Sequence, residues 1–596
     1  MSKSHDIIII DSGVNLEHPA FNKDLIEGFS VFFDKGAIGF NSDFQDKYGH
    51  GSAVYGIIRK RLPKAKILNI KLFEEYNSVV ASEELILLLN YIYENFSCKI
   101  INLSLGLRVC ENIQALYNIS KKFEEKETLI ISAFDNEGYF SYPAGFDCVI
   151  GIDSDATIKS SKEYFWLGNS ATNIQTYGAT QKLPWVEPLY NYLGGNSMAC
   201  AHASAIVFEA LINSENINEA KNYLRKNAAQ IKVFPAPESD EIPFEIKRAA
   251  LFPFNKEMRA LIRFRELLSF EISEVYDVKY SGRVGASCYK LINFNKPENF
   301  EDLIIKNFEL IDFSEIDAII IGHLDELNAL VFDDVRKRIL ENAFLNNINI
   351  YSFDDLDVYK SRSGSNFFYP SVKQEHYNYA QLEKLYCINK PVVGIFGTSS
   401  RQGKYTLLIS LKQELEKNDY TVGCVSTEPN GHLFNIKCMP IGYNAEINVN
   451  EHQFIHILNN KIHELSEKSE IILAAGQANS IPICDSLLEA IPVKQHQFVL
   501  GLQPDIILLC VNYFDDVNYI KNTIKYLEGS TKSQVIALVA SPFANQVDNR
   551  RASKSDKSSL DFENNFKIPC YDLEDKNTVK ALHGLIINYL GDNDVN

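Results

Sequence analysis

Residues 7–14 read Ile-Ile-Ile-Ile-Asp-Ser-Gly-Val (IIIIDSGV), an unbroken apolar run stopped by a carboxylate and an Asp-Ser-Gly bend. β-Branched side chains favour extended backbone, and a run without polar alternation suits a strand buried on both faces. Working outward, residues 1–230 keep alternating between such runs and helical stretches. The expected strands are Ile7–Ile10, Lys66–Leu72, Lys99–Leu105, Thr128–Ala133 and Cys148–Ile152. The expected helices are Gly51–Lys60, Ser82–Phe96, Asn112–Glu125 and one starting near Ser197. Strand–helix alternation predicts a mostly parallel sheet with helices on both faces. Asp11 then stands at the carboxyl end of a central strand, where open α/β sheets place their sites.

The chain has 596 residues, with 59 Lys+Arg against 77 Asp+Glu, a formal net charge of −18. Its length predicts roughly three or four domains. At 46% hydrophobic and 23% charged residues, whole-chain disorder is excluded. The acidic balance argues against nucleic acid or an anionic membrane as a bulk partner. The most apolar stretch, Phe498–Phe514, is interrupted by Gln503, Pro504 and Asp505, so no membrane span is expected. Eleven scattered cysteines without a CxxC pair fit reduced thiols and a cytoplasmic setting, with no metal site. The first strand opens within ten residues, which leads us to expect neither a secretory signal nor a pro-domain.

Val233–Pro243 (VFPAPESDEIP) has three prolines and three acids without periodicity, the composition of a linker. A second α/β unit follows: strand Ala249–Pro253, helix Lys256–Leu268, strands Glu274–Tyr280 and Ala318–Ile321, helix Leu327–Asn342, strand Asn349–Phe353. Tyrosine-rich Phe367–Lys390 reads as a second connection. A third unit has strands Pro391–Phe396, Thr421–Ser426, Ile471–Ala474, Asp505–Val511 and Val535–Ala540.

Three residues of the first third carry chemistry together. Taken singly, Asp11 reads as a turn aspartate, His50 as a cap or loop histidine, and Ser197 as an N-cap serine. Their order Asp–His–Ser, 39 and 147 residues apart, is the subtilisin order of a nucleophilic triad. The surrounding words agree. IIIIDSGV, YGHGSAVYGII and GGNSMACAHASA resemble the three catalytic motifs of the subtilase family. INLSLG (Ile101–Gly106) resembles its cleft strand, and ISAFDNEG (Ile131–Gly138) the strand and loop carrying its oxyanion asparagine. The resemblance spans about 200 residues. It implies a serine endopeptidase with Ser197 as nucleophile, His50 as general base, Asp11 as its orienting carboxylate and Asn136 in the oxyanion hole. No cofactor is required for that chemistry. Substrate would bind as an added strand along Ser104, Leu105 and Gly106 on one side and Ala133, Phe134 and Asp135 on the other. Ser141 aligns with the floor of the family's first specificity pocket, and Phe134, Tyr139 and Tyr142 can wall the cleft.

The chain departs from the family at Asn196, Ala201 and Asp135, which replace threonine, proline and glycine. Asp135 can disfavour the developing oxyanion, read a basic substrate side chain, or point to solvent. With Glu137 it tilts the expectation toward a positively charged substrate residue.

Val392–Leu411 (VVGIFGTSSRQGKYTLLISL) is a strand, a Gly/Ser loop and a helix with Lys404 at its start. Backbone N–H groups of such a loop form an anion nest. Gly397 and Gly403 are one residue further apart than in the usual P-loop. Tyr405 takes the slot of the Mg²⁺-binding Ser/Thr, with Thr406 after it. The pattern resembles dethiobiotin-synthetase-like P-loop proteins, which implies ATP or GTP with Mg²⁺ as ligands and Glu428 as a metal-side carboxylate. Ala475 stands where those proteins often have an acid, favouring binding over hydrolysis. A structural turn and phosphate binding without hydrolysis are the competing readings.

From about Ala249 onward the chain also resembles a bacterial family of peptide-maturation-system proteins. That implies a precursor peptide as substrate and modification enzymes as partners. The expected architecture is a subtilisin-like domain over 1–232, a linker 233–246, a Rossmann-like α/β domain 247–388 and a P-loop NTPase-like domain 389–596. The expected function is removal of a leader from a ribosomally made, modified peptide. The rivals are a catalytically impaired nucleotide-binding scaffold and a general turnover protease.

Overall fold

The computed structural model describes residues 3–73, 80–324, 335–355, 367–442, 445–483, 492–542 and 565–593. The chain forms two compact units: Met1–Pro237 with Tyr377–Cys387, and Glu238–His376 with Ile388–Asn596.

In the first unit, Ile7–Asp11 is entirely buried and runs parallel between Ile67–Lys71 and Ile100–Leu103. It sits inside a ten-stranded sheet, continued on the Ile100–Leu103 side by Leu129–Ala133 and Ile150–Ser154. The alternation of Cβ directions splits the isoleucine run. Ile7 and Ile9 pack with helices His50–Arg61 and Asn196–Ile212, while Ile8 and Ile10 pack with Ser82–Asn95 and Ile113–Glu125. Four isoleucines thus serve two cores, which is why the run lacks alternation.

Several edge elements lie beyond the expected strands. Glu27–Asp34 and Ala37–Asn41 form an antiparallel hairpin at one edge, and Tyr164–Gly168 pairs antiparallel with Thr172–Thr176 near the other. A separate hairpin joins Gln181–Pro184 to Tyr190–Leu193. Apart from Thr172–Thr176, whose buried residues are mostly polar, these strands are only partly buried, so no clean apolar pattern marks them.

The second unit has two large sheets, both wholly parallel, besides the short parallel pair Val372–Lys373 and Ile447–Asn448. The six-stranded one runs Ile305–Asn307, Glu271–Asp277, Arg248–Phe252, Ala318–Ile321, Asn349–Ser352, Phe367–Phe368. The seven-stranded one runs Lys437–Cys438, Val422–Ser426, Ile471–Ala475, Val392–Gly397, Ile506–Asn512, Gln534–Ser541, Cys570–Asp572. One apolar cluster draws on both, with Leu251 and Ile320 from the first and Val393 and Ile395 from the second. The expected helix Leu327–Asn342 is seen as Val335–Leu345, and 325–334 lie outside the described residues. The expected helix Lys256–Leu268 ends at Arg263, with a 3₁₀ turn Arg265–Leu267 beyond.

Two segments depart from the expected boundaries. Within the stretch read as a linker, Asp240 is ion-paired with buried Lys461. Tyr377–Cys387, expected to belong with 247–388, packs in the first unit instead. Ala380 joins Phe134, Phe140 and Ala144 in a small apolar cluster there, and Tyr379 stacks on Phe234 at 4.3 Å between centroids. Its aromatic composition is that of a buried strap.

Candidate active site

Asp11 ends its strand 2% exposed, and His50 opens the helix His50–Arg61. His50 Nδ1 lies 2.8 and 3.0 Å from the two oxygens of Asp11. The meeting is built by the turn after Asp11. Gly51 N donates to Ser12 Oγ at 2.9 Å, and a Cβ on Gly51 would stand 2.2 Å from Gly13 O, so the helix start packs tightly on that bend.

Asp46, absent from the sequence reading, holds the helix from the other side. Its oxygens accept from Ser12 Oγ, Gly49 N, Ser52 N and Ser52 Oγ at 2.7–3.0 Å. It accepts from the unpaired N–H of Ser52 in the first turn although it stands three residues before the cap position Gly49. Burial raises the Asp46 carboxyl above its usual range, against the hydrogen bonds from Ser52 and Gly49. Burial pulls His50 the other way, toward neutrality. The charge and hydrogen bond of Asp11, with the charge of Asp46, outweigh it and hold His50 above the ordinary histidine range.

Ser197 lies in the first turn of Asn196–Ile212, after Gly195 at φ 106°. A side chain on Gly195 would be strained there and would meet Asn136 Oδ1 at 2.6 Å. Ser197 Oγ donates to Ser104 O at 3.0 Å, and Ser104 Oγ donates back to Ser197 O at 3.1 Å. The nucleophile candidate is therefore docked on the end of the cleft strand. Alanines 199, 201, 203 and 205 are fully buried, so this helix lies close against the sheet.

Asn136 Oδ1 accepts from Asn196 N at 2.7 Å, which keeps the Nδ2 protons for another acceptor. Asn196 itself is buried and donates from Nδ2 to Phe134 O, Asp135 O and Asp153 Oδ1 at 3.1–3.2 Å. It acts as a clamp between the serine and the asparagine loop. Ser141 is fully buried and accepts from Asp135 N at 3.2 Å. Gly106 faces it so closely that a Cβ would stand 2.6 Å from Ser141 Oγ. Ala133 and Phe134 are buried, so they can offer substrate only their backbone.

Of the three readings of Asp135, the one that points it free into solvent is set aside by an ion pair. Its carboxylate receives Arg108 Nε at 2.9 Å, and Arg108 also binds Glu137 at 2.8 Å while lying over the Tyr139 ring. One guanidinium is shared between the two acids, which leaves the group of three with a net charge of about −1. The sequence could not pair them, because Arg108 lies on the neighbouring connection.

In the second unit the loop after Val392–Gly397 leads into helix Lys404–Lys417. Lys404 Nζ donates to Ser399 O at 2.8 Å, and burial lowers its pKa to about 8. Gln402 Oε1 accepts from Ser399 N, and Thr398 Oγ1 donates to Asp515 Oδ2 at 2.5 Å. Burial pushes the Tyr405 phenol far up, and Thr406 is half-buried beside it. Burial and the charge of Glu257 raise Glu428, against Lys256 and Lys404.

Asp11 and His50 are joined by hydrogen bonds, and Ser197 is docked on Ser104, all in the domain built on the mostly parallel ten-stranded sheet. The model of the subtilase family matches residues 3–234. Among relatives, the chain is 25% identical over 236 residues to the minor extracellular protease Epr of Bacillus subtilis. That match covers 38% of this chain and 34% of Epr, so the chain spans about a third of the relative's length. Among solved structures, it is similar to the nisin leader peptidase NisP of Lactococcus lactis, with 17% identity and a TM-score of 0.30 over 39% of this chain and 85% of that one. It is also similar to a DUF1611 family protein of Anabaena variabilis, with 11% identity and a TM-score of 0.41 over 57% of this chain and 99% of that one.

Proposed function

We propose that the subtilase domain is an active serine endopeptidase and that the protein removes the leader from a ribosomally made, modified peptide. The observation that carries the hydrolytic reading is the grip of both Asp11 oxygens on Nδ1 of His50. With Nδ1 committed, the lone pair on Nε2 is the base. Ser197 Oγ turns from Ser104 O toward it, gives up its proton and attacks the peptide carbonyl carbon. The tetrahedral oxygen takes hydrogen bonds from Asn136 Nδ2 and the Ser197 backbone N–H. Collapse breaks the C–N bond as His50 returns the proton to the leaving amine. Water then attacks the acyl-enzyme, His50 again taking and returning a proton, and releases the new carboxyl end. Arg108 offsets part of the Asp135 charge that would otherwise oppose the oxyanion. A fluorophosphonate probe tests the reading: wild type should label and Ser197→Ala should not, whereas label on neither ends it.

Asn136→Ala should lower kcat about 10²–10³-fold with KM little changed, because its amide acts on charge that develops only in the transition state. Steady-state kinetics on a cleaved peptide checks this, and a change confined to KM would remove Asn136 from the oxyanion hole.

The leader-peptidase part of the reading is supported by the sequence resemblance of the region after Ala249 to peptide-maturation proteins. A cytoplasmic setting is supported by the cysteines: among the described residues ten are free and seven of those buried, as suits reduced thiols. The second unit would bind a phosphate-bearing ligand at its loop. Lys404 and the backbone of Thr398–Gly403 fit a phosphate. They fit Mg²⁺ poorly, since Thr398 is spent on Asp515, Tyr405 holds its proton and Glu428 is raised. ATP or GTP should therefore bind with heat that does not depend on Mg²⁺, and Lys404→Ala should abolish it. Calorimetry decides: no heat with either nucleotide reduces the loop to a structural turn.

A further inference from the structure

The first unit is finished by a strap from elsewhere in the chain, Tyr377–Cys387. Two sets of contacts tie it to the loop that carries Asn136. Along the backbone, Phe140 N donates to Leu385 O at 2.7 Å and Leu385 N to Gly138 O at 3.0 Å. Tyr386 stacks on Phe140 at 4.7 Å between centroids. Through its side chain, Lys384 Nζ reaches Asp153 Oδ2 at 2.6 Å, with side-chain exposures of 8% and 11%, and lies over the Phe134 ring. The other oxygen of Asp153 holds Asn196 Nδ2, the same amide that clamps Phe134 O and Asp135 O. Asn196 precedes Ser197 directly, and its backbone N–H fixes Asn136 Oδ1.

We infer that Lys384 is a positioning residue for the oxyanion donors and that the strap completes the catalytic unit; this rests on the endopeptidase reading above. A buried carboxylate deprived of its countercharge is strongly unfavourable and recruits other donors. Without the Lys384 ammonium, Asp153 competes for the Asn196 amide. The carbonyls of Phe134 and Asp135 then lose their clamp, and Asn136 leaves its place. A misplacement of about 1 Å costs about 100-fold in rate.

The test is the labelling rate of the full chain with a fluorophosphonate, resolved into kinact and KI, alongside thermal melting. Lys384→Met should lower kinact about 10–100-fold with KI within about threefold of wild type. The double variant Asp153→Asn with Lys384→Met should recover kinact to within about threefold, because an amide at position 153 still accepts from Asn196 without a stranded charge. A Lys384→Met protein that labels as fast as wild type overturns the strap's role and leaves the endopeptidase reading standing. A double variant that labels no faster than Lys384→Met, or that stays slow where the single variant fails to fold, overturns it equally. Wild type that does not label at all overturns both.

Discussion

Ser197→Ala should lose about 10⁶-fold in turnover while melting close to wild type, since removing the nucleophile of a serine triad abolishes the covalent route. The fold should survive because the hydroxyl makes a single donated bond, to Ser104 O, and the helix behind it is held by buried alanines. No neighbour can take over the attack. Cys200, one turn along, lies wholly inside the sheet–helix interface, and burial pushes its thiol up to about 12. Turnover and calorimetric melting of the purified variant check this. Activity within about tenfold of wild type would mean that the attacking atom lies elsewhere.

Asp11→Asn should cost about 10⁴-fold, through the tautomer and charge of His50. A carboxylate can only accept the Nδ1 proton, which leaves Nε2 free as base. A carboxamide can donate to Nδ1 instead and move the proton to the wrong nitrogen. The pH profile carries a second signature. The base works neutral, so kcat/KM of wild type should rise with pH through a midpoint above the ordinary value of about 6.5. Burial alone would set it lower; the Asp11 charge and hydrogen bond hold it up. Removing that charge should shift the rising limb of the residual activity toward lower pH. An unmoved limb would show that another group sets the profile.

Much of this was readable without coordinates. The isoleucine run with its terminal aspartate, the helix opening at His50 and the glycines before Ser197 are local signals, each produced by backbone preferences within a few residues. The two large parallel sheets of the second unit were legible for the same reason, through continuous apolar strands such as Val392–Gly397 and Ile471–Ala475. The edge hairpin Glu27–Asn41 was not, because half its side chains face water and no period singles them out. Asp46 had no such mark, because it lies three residues before the helix cap Gly49 and reaches the first turn only through the fold of the intervening loop. The pairing of Arg108 with Asp135 had no local mark at all, because the two lie on different connections of the sheet.

The sequence by itself determined which residues are the candidates to attack, accept a proton and orient, because hydroxyl, imidazole and carboxylate chemistry travels with the side chain and their motifs are short. Only the tertiary structure decided what surrounds them: that Arg108 quiets Asp135, that Asn196 clamps the asparagine loop, and that Lys384 reaches Asp153 across 231 residues of chain. Such contacts depend on where distant segments come to rest, and the energy of a buried ion pair is set by geometry and desolvation, which no run of neighbouring residues records.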